Sequence, residues 1–209
     1  GNLGDLTDRA RKVLTEVDLI AAEDTRQTRR LLAHCGISTP LVSYHEHNEP
    51  GAAARLIDMI GSGKDLALVS DAGTPLISDP GYDLVVAARA RRIDVIPIPG
   101  ANAAICARSA AGLPSDRFLF LGFPPRPAGE RRTWIESVAR ETGTLVFYES
   151  GRRAAETLAA LATVLGDTRR AVVARELTKR FETFLSGTAR ELAGRRESED
   201  EQRLGEMVI

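Results

Sequence analysis

Short apolar runs, each followed by a polar, turn-rich segment and then a helix-like stretch, recur along this chain. They restrict its fold to classes in which strands and helices alternate. Leu19–Ala22, Leu41–Tyr44, Leu66–Val69 and Val95–Ile98 read as strands, and Leu66–Val69 is the kind of run a buried parallel strand uses. Thr7 is placed to cap a helix over Asp8–Glu16, and Thr25 to cap a second that ends at Gly36. A third spans Gly51–Ile60 and stops at Gly61 and Gly63. Tyr82–Arg91 and Ala101–Ala111 read as helices, and Phe118–Leu121 as a further strand. The fold class is α/β.

The period breaks at Phe123-Pro124-Pro125-Arg126-Pro127, which reads as a linker because three prolines forbid a continuing element. The expected organisation is an α/β domain over 1–122, a linker over 123–128 and a second α/β domain over 129–209. In the second domain, helices are expected near Glu130–Arg140 and Ala154–Leu165, with strands Leu145–Tyr148, Ala171–Ala174 and Glu182–Leu185. A helix near Ala189–Ala193 precedes the charged stretch Arg195–Arg203, which reads as a solvated loop. Met207-Val208-Ile209 has the look of a strand cut short.

The polar clusters are not scattered. Glu23-Asp24-Thr25-Arg26 follows the first strand and His45-Glu46-His47-Asn48-Glu49 the second. Ser70 to Gly81 follows the third, and Pro99-Gly100-Ala101-Asn102 the fourth. The carboxyl ends of parallel strands lie along one edge of a sheet, where open α/β folds bind their ligands, so these four segments should line one cleft. Ordinary turn and cap chemistry explains each residue alone, but their shared position poorly. The stretch S-D-A-G-T-P-L-I-S-D-P-G is the most constrained of them. Pro75 and Pro80 fix the backbone, while Gly73 and Gly81 admit conformations closed to other residues.

Several classes are disfavoured. There is no G-x-G-x-x-G for a dinucleotide, no G-x-x-x-x-G-K-[ST] for a nucleotide triphosphate, and no nucleophile elbow. His45, His47 and Glu49 would share a face of an extended segment, but no fourth ligand has a recognisable spacing, so no metal is expected. Arg26, Arg29 and Arg30 share one helical face and suit either phosphates or plain solvation. A net charge of −1 does not advertise a nucleic-acid binder. No apolar run is long enough to span a bilayer, and Cys35 and Cys106 read as buried thiols, which fits a reducing cytoplasm.

Taken together, Gly1-Asn2-Leu3-Gly4-Asp5-Leu6, Ala22-Glu23-Asp24-Thr25-Arg26, Ser43-Tyr44-His45-Glu46-His47-Asn48-Glu49 and Ser70-to-Gly81 resemble the tetrapyrrole methylase superfamily. More narrowly, they resemble its branch that modifies small-subunit ribosomal RNA. Pro97-Ile98-Pro99-Gly100, Gly112-to-Phe118, Val146-Phe147-Tyr148-Glu149-Ser150 and Ala174-Arg175-Glu176-Leu177-Thr178-Lys179 extend the resemblance over essentially the whole chain. It implies two α/β domains with S-adenosylmethionine in the cleft between them, a homodimer, and 2′-O-methylation of a cytidine in the decoding region of 16S ribosomal RNA. For the cofactor it implies Asp71, Gly73, Thr74, Pro75 and Ile77, then Asn102 and Ala103, and in the second domain Tyr148, Glu176 and Leu177. The family opens with an apolar strand leading into the loop at Gly1, and its last strand runs on after Glu206. The first is absent here and the last stops early, so the sequence is expected to be incomplete.

For the chemistry, Asp24, His45 and Glu46 stand as candidate bases and Arg26 as partner to a phosphate or developing alkoxide. Arg29, Arg30, Arg152 and Arg153 are the expected RNA contacts. Two other functions compete: a small-molecule methylase acting on a tetrapyrrole carbon, and a catalytically silent RNA-binding or assembly protein.

Overall fold

Leu19–Ala22 forms β1, which pairs in parallel with β2 (Leu41–Ser43) on one side and β3 (Leu66–Val69) on the other. The computed structural model describes residues 2–45, 49–198 and 205–209. Ile20, Ala21 and Ala22 are wholly buried, as a central strand covered on both faces requires. Parallel neighbours need a crossover, and here helices supply it. α2 (Thr25–Cys35) leads from β1 to β2, and α3 (Glu49–Gly61) from β2 to β3. α1 (Asp8–Glu16) precedes the sheet and α4 (Tyr82–Ala90) follows β3. One apolar cluster gathers Ala21, Tyr44, Leu56, Ile57 and Leu84, and a second Leu14, Ile20, Leu32 and Ile37.

Two expectations for this region change. Thr7 does cap α1, its Oγ1 accepting from Ala10 N at 3.1 Å. The cap of α2, however, is Asp24 rather than Thr25, because the Asp24 carboxylate accepts from Arg26 N at 2.8 Å. Val95–Ile98 does not form a strand. A strand exists only where a ladder partner lies alongside, and among the described residues β3 pairs with β1 alone. Ile96 is accordingly 68% exposed.

The chain divides into two compact units, Gly1–Asn102 and Ala103–Ile209. This division precedes the proline-rich segment at 123–128, where sequence composition placed it. The reason is pairing across that segment: β4 (Phe118–Phe120) runs parallel to β5 (Thr144–Val146). The second unit begins with α5 (Ala103–Ala110), which leaves Cys106 exposed rather than buried. After β4 come α6 (Ala128–Ser137), β5, β6 (Tyr148–Ser150) and α7 (Gly151–Leu165), then β7 (Arg170–Arg175), β8 (Thr183–Thr188), α8 (Ala189–Ser198) and β9 (Glu206–Val208).

The expected strand Leu145–Tyr148 is two strands. β5 belongs to the small parallel pair, whereas β6 joins an antiparallel sheet in the order β6-β9-β7-β8. Phe147 is the hinge of the switch, exchanging both backbone hydrogen bonds with Ile209 at 2.9 Å. Its buried ring packs in the core with Ile135, Leu158, Val173 and Leu192. α8 continues through Ser198, so the helix takes up the first part of the stretch expected to be a solvated loop.

Candidate cofactor and catalytic site

In the first unit the register pairs Ala22 with both Ser43 and Val69, so β1, β2 and β3 end level with one another. Three of the four polar segments therefore leave the sheet at the same edge. The fourth reaches it without a strand of its own. Thr74 Oγ1 donates to Ala101 O at 3.0 Å and Thr7 Oγ1 to Pro99 O at 3.4 Å. Thr74, in the loop after β3, and Ala101, beside Asn102, are thus held together.

That loop is a strained piece of backbone. Leu76 (φ 69°) and Ser78 (φ 66°) adopt left-handed conformations that cost a side-chain-bearing residue roughly 1–3 kcal/mol. Gly81, at φ 137°, has no alternative, since a Cβ there would stand 2.6 Å from both Leu68 Cδ2 and Leu76 Cδ1. Gly73, at φ 81°, faces Ala101 O, which a Cβ would approach to 3.5 Å. A side chain at Gly73 would fill the space between the two segments. Pro75 and Ile77 are half-buried in the same loop.

Carboxylates tie this loop to the segment after β1. Asp71 Oδ1 accepts from Asp24 N at 3.0 Å, and Asp71 N donates to Glu23 Oε2 at 3.3 Å. Asp24 in turn grips Arg26 in a forked pair, from Nε at 3.1 Å and from Nη2 at 2.9 Å. That pairing, with the Arg26 N bond, holds the Asp24 carboxyl down to about 2. Asp79 goes the other way, pushed up to about 6 by burial, then by the neighbouring Glu23 charge, against an opposing hydrogen bond from Ser70. His45 is half-buried directly after β2, whereas Glu46 lies outside the described residues. Arg26, Arg29 and Arg30 are exposed on α2 while Thr28 and Leu32 are buried, so the basic face points away from the core.

In the second unit, Ala104, next to Ala103, shares an apolar cluster with Tyr148 and Leu177. The Tyr148 ring meets Phe120 edge-on at 5.0 Å and Phe123 at 5.4 Å. Glu176 has φ 49°, and its Oε1 accepts from Lys179 Nζ at 3.1 Å and from Glu206 N at 2.9 Å. Arg152 is exposed. Arg153 is committed inside the unit instead: its Nε donates to Glu149 Oε1 at 2.9 Å and its Nη2 to Pro124 O at 3.3 Å. Glu149 is 1% exposed and also accepts from Thr157 Oγ1 at 2.7 Å and Ser150 N at 2.8 Å. Sequence reasoning passed over Glu149. The available signal was a carboxylate at the end of an apolar run, with an arginine one helical turn into the next helix.

Residues 1–193 match the family model described as tetrapyrrole (corrin/porphyrin) methylases. The chain belongs to the tetrapyrrole methylase family. Over 209 residues it is 56% identical to "Ribosomal RNA small subunit methyltransferase I" of Xylella fastidiosa, covering 100% of this chain and 77% of that one. The protein of the same name from Pseudomonas aeruginosa is 53% identical, with 100% and 74% covered. Among solved structures, the cobalt precorrin-4 methyltransferase CbiF aligns with a TM-score of 0.68 at 16% identity, covering 100% of this chain and 89% of that one. The methyltransferase CobJ aligns at 0.66 and 18%, with the same coverage. Those two likenesses establish the fold. Enzymes of this family use S-adenosylmethionine, and the space beside Gly73 and Ala101 in the first unit suits such a ligand.

Proposed function

We propose that this methylase transfers a methyl group from S-adenosylmethionine to the ribose 2′-hydroxyl of a cytidine in the decoding region of 16S ribosomal RNA. The supporting observation is identity above 50% across all 209 residues with relatives named for small-subunit ribosomal RNA. We also take the protein to act as a cytoplasmic homodimer.

The cofactor supplies an electrophilic methyl carbon on a sulfonium, and transfer is an in-line displacement. Positioning is then the main task of the protein. In the first unit we assign Gly73, Thr74, Pro75 and Ile77, with Asp71 and Asn102, to cofactor binding. In the second unit we assign Ala103, Tyr148, Glu176 and Leu177 to the same role. The Thr74–Ala101 bond preorganises the first set before any ligand arrives.

A ribose hydroxyl is a weak nucleophile, so a proton acceptor and a positive charge near its oxygen both help. Asp24, held near pKa 2 and occupied by Arg26, is a poor acceptor at neutral pH. Its role in this reading is to aim the guanidinium of Arg26 at a phosphate or developing alkoxide. Arg26 keeps a side chain 83% exposed for that purpose. His45 and Glu46 are then the proton acceptors. Arg29, Arg30 and Arg152 meet backbone phosphates, while Arg153 braces Glu149.

The competing function is methylation of a tetrapyrrole carbon, the chemistry for which the family is described. Labelled S-adenosylmethionine offered in parallel with unmodified small ribosomal subunits and with a tetrapyrrole precursor separates the two. Label in the RNA supports the proposal, and label in the tetrapyrrole alone refutes it.

A further inference from the structure

The β7–β8 hairpin closes over residues 176–182, since Arg175 pairs with Thr183. This connection is braced from beneath. Glu176 N donates to Glu206 O at 2.9 Å, and Lys179 Nζ bridges Glu176 Oε1 at 3.1 Å and Glu206 Oε2 at 2.8 Å. Thr178 N donates to Glu182 Oε2 at 2.6 Å, and Glu182 N to Lys179 O at 3.2 Å. Glu176 and Thr178 both take left-handed backbone (φ 49° and 61°), which persists only where bonding of this kind holds it.

Arg180 and Phe181 stand on that frame. The Phe181 ring is 61% exposed, and the Arg180 guanidinium carbon lies 5.4 Å from its centroid. Among the described residues Arg180 has no ion pair. An exposed ring on a mobile tip would be unremarkable. One carried on backbone held by these bonds, beside a planar cation without an ion pair among the described residues, has less to order on binding.

We propose that Arg180 and Phe181 form a stacking site for an unpaired base of the RNA substrate. The ring takes the base face, and the guanidinium takes the flanking phosphate or the second face. Single-stranded RNA is read this way, through splayed bases on aromatic rings and cations along the backbone. The neighbours of Phe181 favour this partner over an apolar protein surface, because Arg180, Glu182 and Thr183 around it are exposed and polar. The inference rests on the RNA reading above, to which it adds a contact in the second unit.

The test measures binding of a fluorescein-labelled single-stranded RNA oligonucleotide to protein saturated with S-adenosylmethionine. It compares wild type with Phe181→Ala, Phe181→Leu, Phe181→Trp and Arg180→Ala. The alanine and leucine variants at 181 are expected to bind about tenfold more weakly, and Phe181→Trp to match wild type. Arg180→Ala is expected to weaken binding and flatten its salt dependence. Calorimetric affinity for S-adenosylmethionine should not change in any of them. Unchanged RNA affinity in Phe181→Ala, or full affinity in Phe181→Leu, overturns the stacking site while leaving the RNA reading intact. A changed sedimentation coefficient in Phe181→Ala overturns it in favour of a subunit contact. Wild type that binds cofactor but no RNA overturns both.

Discussion

Asp24 and Asp79 flank Asp71 in one network, yet they sit at opposite ends of the carboxylate range. Asp24 has a cation and a backbone N–H to stabilise its charge, whereas Asp79 has burial and the like charge of Glu23. The Asp79 carboxyl rises from 3.8 to about 6 on folding, so the folded protein holds this proton more tightly than the unfolded chain. Stability from it is complete below about pH 4 and is lost as pH rises through about 6. Asp79→Asn should therefore raise the melting temperature at about pH 7.5 and leave it nearly unchanged at about pH 4. Melts across that range showing a pH-independent difference would contradict this origin of the shift. Thr74→Val removes the hydroxyl that donates to Ala101 O. It should weaken S-adenosylmethionine binding by about 1 kcal/mol, roughly fivefold, as read by calorimetry. The glycines and prolines of this loop marked its backbone as constrained from composition alone. The Thr74–Ala101 bond was not legible, because it joins residues 27 apart in sequence through a backbone oxygen that carries no residue signature.

At the scale of elements, the strand ends did more to define the candidate site than any single motif. β1 and β3 were readable to the residue because each is a short apolar run between a helix and a turn. Val95–Ile98 has the same pattern without forming a strand, since pattern does not say whether a ladder partner is present. Leu145–Tyr148 misled in a different way. The run is apolar throughout, but Phe147 exchanges one sheet for another, and only the pairing with Ile209 reveals it. The junction of β6 with α7 depends on Glu149, a fully buried carboxylate with Arg153, Thr157 and Ser150 as partners. Glu149→Ala strands the Arg153 guanidinium, and we expect a loss of about 3 kcal/mol in urea unfolding of the second unit. A loss below about 1 kcal/mol would show that the network is incidental to that junction.

At the scale of the whole molecule, fold and substrate separate. CbiF and CobJ share this architecture at 16% and 18% identity, whereas the relatives named for ribosomal RNA share 56% and 53% over the full chain. A shared fold hosts many substrates, so the proposed RNA substrate rests on the high identity to those relatives and not on the architecture. In that proposal the residues assigned to the RNA are Arg26, paired with Asp24, and the other arginines of α2. Two α/β halves were legible from the alternation of elements. Their division at Asn102 was not, because pairing of β4 with β5 is invisible in composition. The central claim concerns one oxygen of one nucleotide, and mass spectrometry of 16S ribosomal RNA from a strain lacking this gene tests it most directly. The account predicts that a single 2′-O-methyl group on a decoding-region cytidine is missing and returns when the gene is restored. An unchanged complement of ribose methyl groups in that RNA would contradict it.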